Sequence, residues 1–77
     1  MTLDQYLTDR GMTLEAFAGQ LGEAIGERVY VSTVWKWRRG KAVPRPRVIL
    51  AIEELTENQV TARDIIAVCA ANEPAAA

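Results

Sequence analysis

Apolar residues recur three and four positions apart along almost all of this chain, which is the spacing of a helix face and not of a strand. Leu14, Phe17, Ala18, Leu21 and Ile25 form the clearest such stripe. Only Val29-Tyr30-Val31 has the β-branched and aromatic character of a strand, and no second run exists to pair with it. A length of 77 residues leaves room for one small core. The expected fold is therefore a single all-α domain.

Capping and breaking residues divide the pattern into five helices. Thr2-Leu3-Asp4-Gln5 has the form of a capping box. It predicts a first helix over residues 3–10, with Leu3, Tyr6 and Leu7 on one face and Gly11 at its end. Thr13 caps a second helix beginning at Leu14. Gly22 is one candidate stop for it; the stripe continuing to Ile25 makes Gly26 another. A third helix is expected over residues 31–39, with Val34 and Trp37 inward and Gly40 as its stop. Residues 42–46 should be extended, because each proline biases its predecessor away from helix. Pro46 suits the first turn of a fourth helix reaching Leu55, whose stripe is Val48, Ile49, Ile52 and Leu55. Residues 56–59 read as a turn. Thr61-Ala62-Arg63-Asp64 then opens a fifth helix with Ile65, Ile66 and Cys69 on its apolar face. The domain is expected to occupy residues 1–71, with 72–77 as a flexible tail.

The inventory of reactive side chains excludes more than it offers. There is no His, and Cys69 is the single cysteine. That leaves no zinc cluster, no His acid or base and no disulfide within the chain. Paired catalytic carboxylates in an apolar pocket, a nucleophile beside a base and a phosphate-binding glycine loop cannot be assembled either. No enzymatic activity, metal or cofactor is expected. A lone thiol fits a reducing cytoplasm. The apolar runs at 48–52 and 65–71 are far shorter than the ~20 residues of a membrane span. Asp4 stands where a signal peptide requires positive charge, so no export signal is expected.

A net charge of -1 conceals a sharp segregation. Residues 28–47 contain Arg28, Lys36, Arg38, Arg39, Lys41, Arg45 and Arg47 and no acid. The rest of the chain holds all 10 acidic residues and only two basic ones, Arg10 and Arg63. Salt confines charge effects to about 8–10 Å, so the local field outweighs the sum. A basic face on an acidic body is the footprint of a nucleic-acid binder, and double-stranded DNA is the expected partner. The plainer alternative is a solvated basic loop.

TLEAFAGQLG at residues 13–22, followed by VYVSTVWKWRRG at 29–40, resembles the Cro/cI-like helix-turn-helix repressors of phages and bacteria. VPRPRVILAIEELTENQVTARDI at 43–65 is similar to the C-terminal half of YdaS-like and short Cro-like regulators. The resemblance spans roughly residues 13–66, with the motif over 13–40. Ala18 matches the small residue that lets the two motif helices cross closely. Leu21-Gly22 matches the end of the first motif helix and its turn, and Val29 the apolar residue after it. Val34 and Trp37 match the buried pair of the recognition helix; Gly40 and Pro44 match the glycine and proline that follow. One feature departs from the family pattern. Glu23 to Arg28 are inserted between the turn glycine and Val29. Either the second helix is longer, or the turn is an extended loop.

The resemblance implies a five-helix, lambda-repressor-like domain that binds operator DNA to regulate transcription, most simply as a repressor. Its recognition helix would present Ser32, Thr33, Trp35, Lys36 and Arg39 to base edges in the major groove. Trp35 would either lie against a thymine methyl or sugar, or tuck under the inserted segment. Lys41, Arg45 and Arg47 suit phosphate contacts, with Arg28 and Arg38 beside them. Tyr30 would donate to a phosphate or pack. Cys69, amid apolar neighbours, reads as a packing residue.

A single recognition helix reads few base pairs, which favours a homodimer on an inverted-repeat operator. Leu50 and Val68 lie off the inward stripes of the last two helices and, with Ile65, form the expected dimer face. Two other readings remain: an antitoxin-like regulator whose C-terminal helix holds a partner protein, and a protein-interaction module without a DNA target.

Overall fold

The computed structural model describes residues 1–72, which form five α-helices. They are α1 (Leu3–Arg10), α2 (Leu14–Ile25), α3 (Val31–Arg38), α4 (Pro46–Leu55) and α5 (Ala62–Asn72). No strand occurs among the described residues. The tail expected at 72–77 begins inside α5 at Asn72, and its remaining residues lie outside those described.

Local hydrogen bonds explain the helix boundaries. The Thr2 hydroxyl accepts from the Gln5 amide at 3.1 Å, and the Gln5 side chain accepts from the Thr2 amide at 2.9 Å. Two otherwise orphaned donors are thereby satisfied at the start of α1. Thr13 caps α2 with a single bond, its hydroxyl accepting from the Ala16 amide at 3.1 Å. Of the two candidate stops for α2, the structure uses Gly26. It adopts the left-handed conformation at φ 69°, which costs glycine nothing, and its amide closes onto the Gly22 carbonyl. The extra turn of helix gains the burial of Ile25. Inserted residues 23–25 therefore lengthen α2, and residues 26–28 belong to the short connection to α3.

Gly22 lies inside the helix and has a different job. A Cβ placed there would stand 2.8 Å from the Glu27 carbonyl oxygen and 3.7 Å from the Val29 amide nitrogen. The connection folds back against α2 across a surface that only glycine leaves open.

Helix α2 packs against both α3 and α4, while α1 packs on α3 and α5 on α4. Phe17, Leu21, Val34, Ile52 and Val60 are wholly excluded from solvent. Around them lie Leu3, Tyr6, Leu7, Ala18, Ile25, Trp37, Val48, Ile49 and Ile65. The Tyr6 and Phe17 rings meet edge to face, 6.4 Å apart. Leu14 and Leu55 sit at the margin, half-buried. Val60, beyond the expected turn, is a core residue that the helical stripes do not reveal.

The turn after α4 is organised by one buried hydroxyl. Thr56 Oγ1 donates to the Ile52 carbonyl at 2.7 Å and accepts from the Val60 amide at 3.2 Å. Between these anchors Glu57 and Asn58 adopt positive φ, 55° and 64°. Helix α5 then starts on a reciprocal pair of bonds between Thr61 and Asp64. Asp64 accepts from the Thr61 amide at 3.0 Å, and the Thr61 hydroxyl accepts from the Asp64 amide at 3.3 Å. Glu53 of α4 adds a carboxylate oxygen 2.9 Å from the Ala62 amide.

Candidate nucleic-acid interface

Helix α3 has one buried side and one exposed side. Val34 and Trp37 point into the core, and Trp37 is 8% exposed. Ser32, Trp35, Lys36 and Arg39 are exposed, as is Val31 at the first turn. Thr33 is half-buried and lines a cleft beside the α2–α3 connection. The fold thus puts Ser32, Trp35, Lys36 and Arg39 at the surface of one short helix, with Thr33 at its margin.

Trp35 is not tucked beneath the inserted segment. It is 39% exposed, and two cations stand over its ring. The Arg39 guanidinium lies 5.7 Å from the ring centroid and the Lys41 ammonium 5.2 Å. The end of α3 brings Lys41 there. Gly40 turns left-handed at φ 71°, its amide donates to the Trp37 carbonyl at 3.1 Å, and the Lys41 amide donates to the Lys36 carbonyl at 2.8 Å. Those two bonds form the Schellman closure of a helix C-terminus, and they fold the chain back over its last turn.

The other basic residues differ in how the fold engages them. Arg28 lies over the Tyr30 ring, 5.6 Å from its centroid; Tyr30 itself is 59% exposed and makes no side-chain cap to α3. Arg38 pairs through Nε with Asp4 of α1. Arg45 pairs with Glu27 at 3.2 Å, and both side chains are well exposed. Arg47 donates to the Ile25 carbonyl at 2.8 Å. It thus satisfies one of the carbonyls that the end of α2 leaves without a helical partner. Three of the expected phosphate-contact residues therefore already hold elements of the fold together, which their spacing in sequence does not reveal. Glu27 is equally new to the site: it is an acid placed on the basic surface by the α2–α3 connection.

The mouth of the cleft carries Glu27, Arg28, Tyr30, Thr33 and Arg45, and its floor is apolar, with Val29, Trp37, Pro44 and Val48. No group of His, Cys, Asp or Glu among the described residues is placed to hold a metal ion. At the start of α5, away from this cleft, Asp64 has a depressed pKa. The Thr61 amide donates to its carboxylate and holds it below the usual Asp value, with the terminal ammonium of Met1 adding to the effect and burial opposing it.

The expected dimer face needs one correction. Ile65 is 3% exposed and belongs to the core of the monomer. Its neighbour Ile66 is 52% exposed instead, because the inward side of α5 is set by contact with α4. Leu50 is 65% exposed and Val68 half-buried. Cys69 is also half-buried, with its thiol 3.5 Å from the Ala42 carbonyl. No described helix is long and apolar enough to cross a membrane.

The chain matches no protein-family pattern, no curated protein and no solved structure.

Proposed function

We propose that this chain is a sequence-specific DNA-binding transcriptional regulator of the helix-turn-helix kind, with α3 as its recognition helix. The observation that carries the reading is the exposed side of α3. It is short, polar and basic, it is seated on α2 by Val34 and Trp37, and it lies within an acid-free stretch of sequence. Such a helix fits the major groove, where Ser32, Thr33, Lys36 and Arg39 can address base edges. Lys41 and Arg28 flank it and suit phosphates, as does Arg45 once Glu27 is displaced. Arg38 and Arg47 serve the fold first.

The reading includes a homodimer that represses from an inverted-repeat operator. Leu50 and Ile66 are large apolar side chains left in solvent on α4 and α5, and a two-fold contact would cover identical patches on both copies. Two recognition helices would then stand about 34 Å apart, one turn of B-DNA.

Selection of bound duplexes from a random pool tests both parts. An enriched inverted repeat with half-sites about 10 base pairs apart is the expected result. Absence of any enriched sequence, with no retention on heparin at moderate salt, would leave the basic face to an acidic protein partner. A monomeric mass at micromolar concentration with one-to-one binding to a single half-site would remove the dimer.

A further inference from the structure

Trp35 is the least expected residue on the exposed side of α3. An indole left 39% exposed forgoes part of the stabilisation that full burial would give, and the core already has Trp37. What Trp35 does have is two cations over its ring, Arg39 from one turn further along and Lys41 from beyond the Gly40 turn. Two like charges near one point repel each other, and both belong to long side chains with many rotamers. The negative face of the indole attracts both and offsets that repulsion.

We infer that Trp35 is a positioning residue: its ring holds Arg39 and Lys41 together as one preformed cationic unit that receives a nucleic-acid strand. This rests on the proposed function and adds to it a role for Trp35 that is not base contact. Binding otherwise loses affinity to the ordering of flexible side chains at the interface. Here part of that ordering is done before the duplex arrives. The Schellman closure is integral to the device, because the bond from the Lys41 amide to the Lys36 carbonyl returns Lys41 to the ring.

The test compares the wild-type chain with Trp35→Ala and Trp35→Phe. In the free proteins, ring-current shifts of the Arg39 δ and Lys41 ε protons report whether the cations lie over the ring. Elution from heparin and binding to a generic duplex as a function of salt report what the arrangement does. Trp35→Ala should lose the shifts, elute at lower salt and bind duplex about 5- to 30-fold more weakly, the cost of ordering two long side chains at the interface that the ring no longer orders in advance. Its log–log salt slope should fall by about 0.9 for each phosphate that the variant no longer neutralises. Trp35→Phe keeps a ring face and should stay within about 3-fold of wild type. Trp35→Ala removes a partly covered indole and should lower Tm, with Trp35→Phe between it and the wild type, so binding is compared at a temperature where all three are folded.

Absent ring-current shifts in the wild type overturn the inference. So does a Trp35→Ala variant that binds as the wild type does. A Trp35→Phe variant as weak as Trp35→Ala overturns it too, since the indole would then be the contact itself. If heparin shows the expected order while no duplex binds at all, the positioning role stands and the DNA reading falls.

Discussion

Two glycines in the same helix should respond to the same substitution with opposite sign. Gly19 and Gly22 both lie inside α2. A Cβ at Gly19 meets nothing within 4 Å, whereas one at Gly22 stands 2.8 Å from the Glu27 carbonyl oxygen. Gly19→Ala should therefore show only the helix-propensity gain, about 0.5–1 kcal/mol. Gly22→Ala receives the same gain and must also push a backbone carbonyl from 2.8 Å out to the ordinary contact range beginning at 3.4 Å. The push strains the bond from the Glu27 amide to the Gly22 carbonyl, 3.2 Å in length. Overpacking of this severity costs about 1–3 kcal/mol, so the net effect is a loss of about 1 kcal/mol. For a domain of this size each kcal/mol moves Tm by about 4–8 °C. Thermal unfolding followed by circular dichroism should place Gly19→Ala above the wild type and Gly22→Ala below it. Equal shifts of the same sign would refute the claim that the connection closes against α2 at Gly22.

Two further outcomes follow from single contacts. Glu27→Gln removes the acid that pairs with Arg45, so binding to generic duplexes should strengthen about 2- to 5-fold, the worth of an exposed ion pair; unchanged affinity in a salt titration would place Arg45 away from the strand. Asp64 is held below the usual Asp value, so its contribution to stability is complete above about pH 4 and is lost as pH falls through the lowered value; Asp64→Asn should lower Tm at pH 7 and converge on the wild type in acid, and a constant difference across that range would contradict the assignment.

The fold was legible in sequence wherever the deciding forces are local. A capping box and a terminal glycine set the limits of α1, and Thr13 and Pro46 mark the starts of α2 and α4. Each of those signals lies within one turn of the boundary it marks. Periodicity identified Val34, Trp37 and Ile52 as inward-facing. It failed at α5, where Ile65 and Ile66 are adjacent and only the contact with α4 decides which is buried. Val60 and Thr56 escaped because a turn has no period. At the candidate site, the charge segregation singled out the segment but not the partners of its members. Arg38 finds Asp4 across 34 positions and Arg47 finds Ile25 across 22, distances at which sequence spacing carries no geometric information. The inserted residues showed the same limit: their stripe suggested a longer helix, but nothing in it foretold that Glu27 would come to rest beside Arg45.

The basic stretch at residues 28–47 carries seven cations, and the fold pairs two of them, Arg38 and Arg45, with the acids Asp4 and Glu27. A protein of net charge -1 is neither drawn to nor strongly repelled by a polyanion at long range. Within a screening length the local excess of positive charge would matter more than the net charge, so under the proposed function approach with α3 inward would be favoured. Encounters would then be selected by orientation before any side chain touches its target. Adding salt should slow productive association by erasing that alignment, even where the contacts finally made are the same.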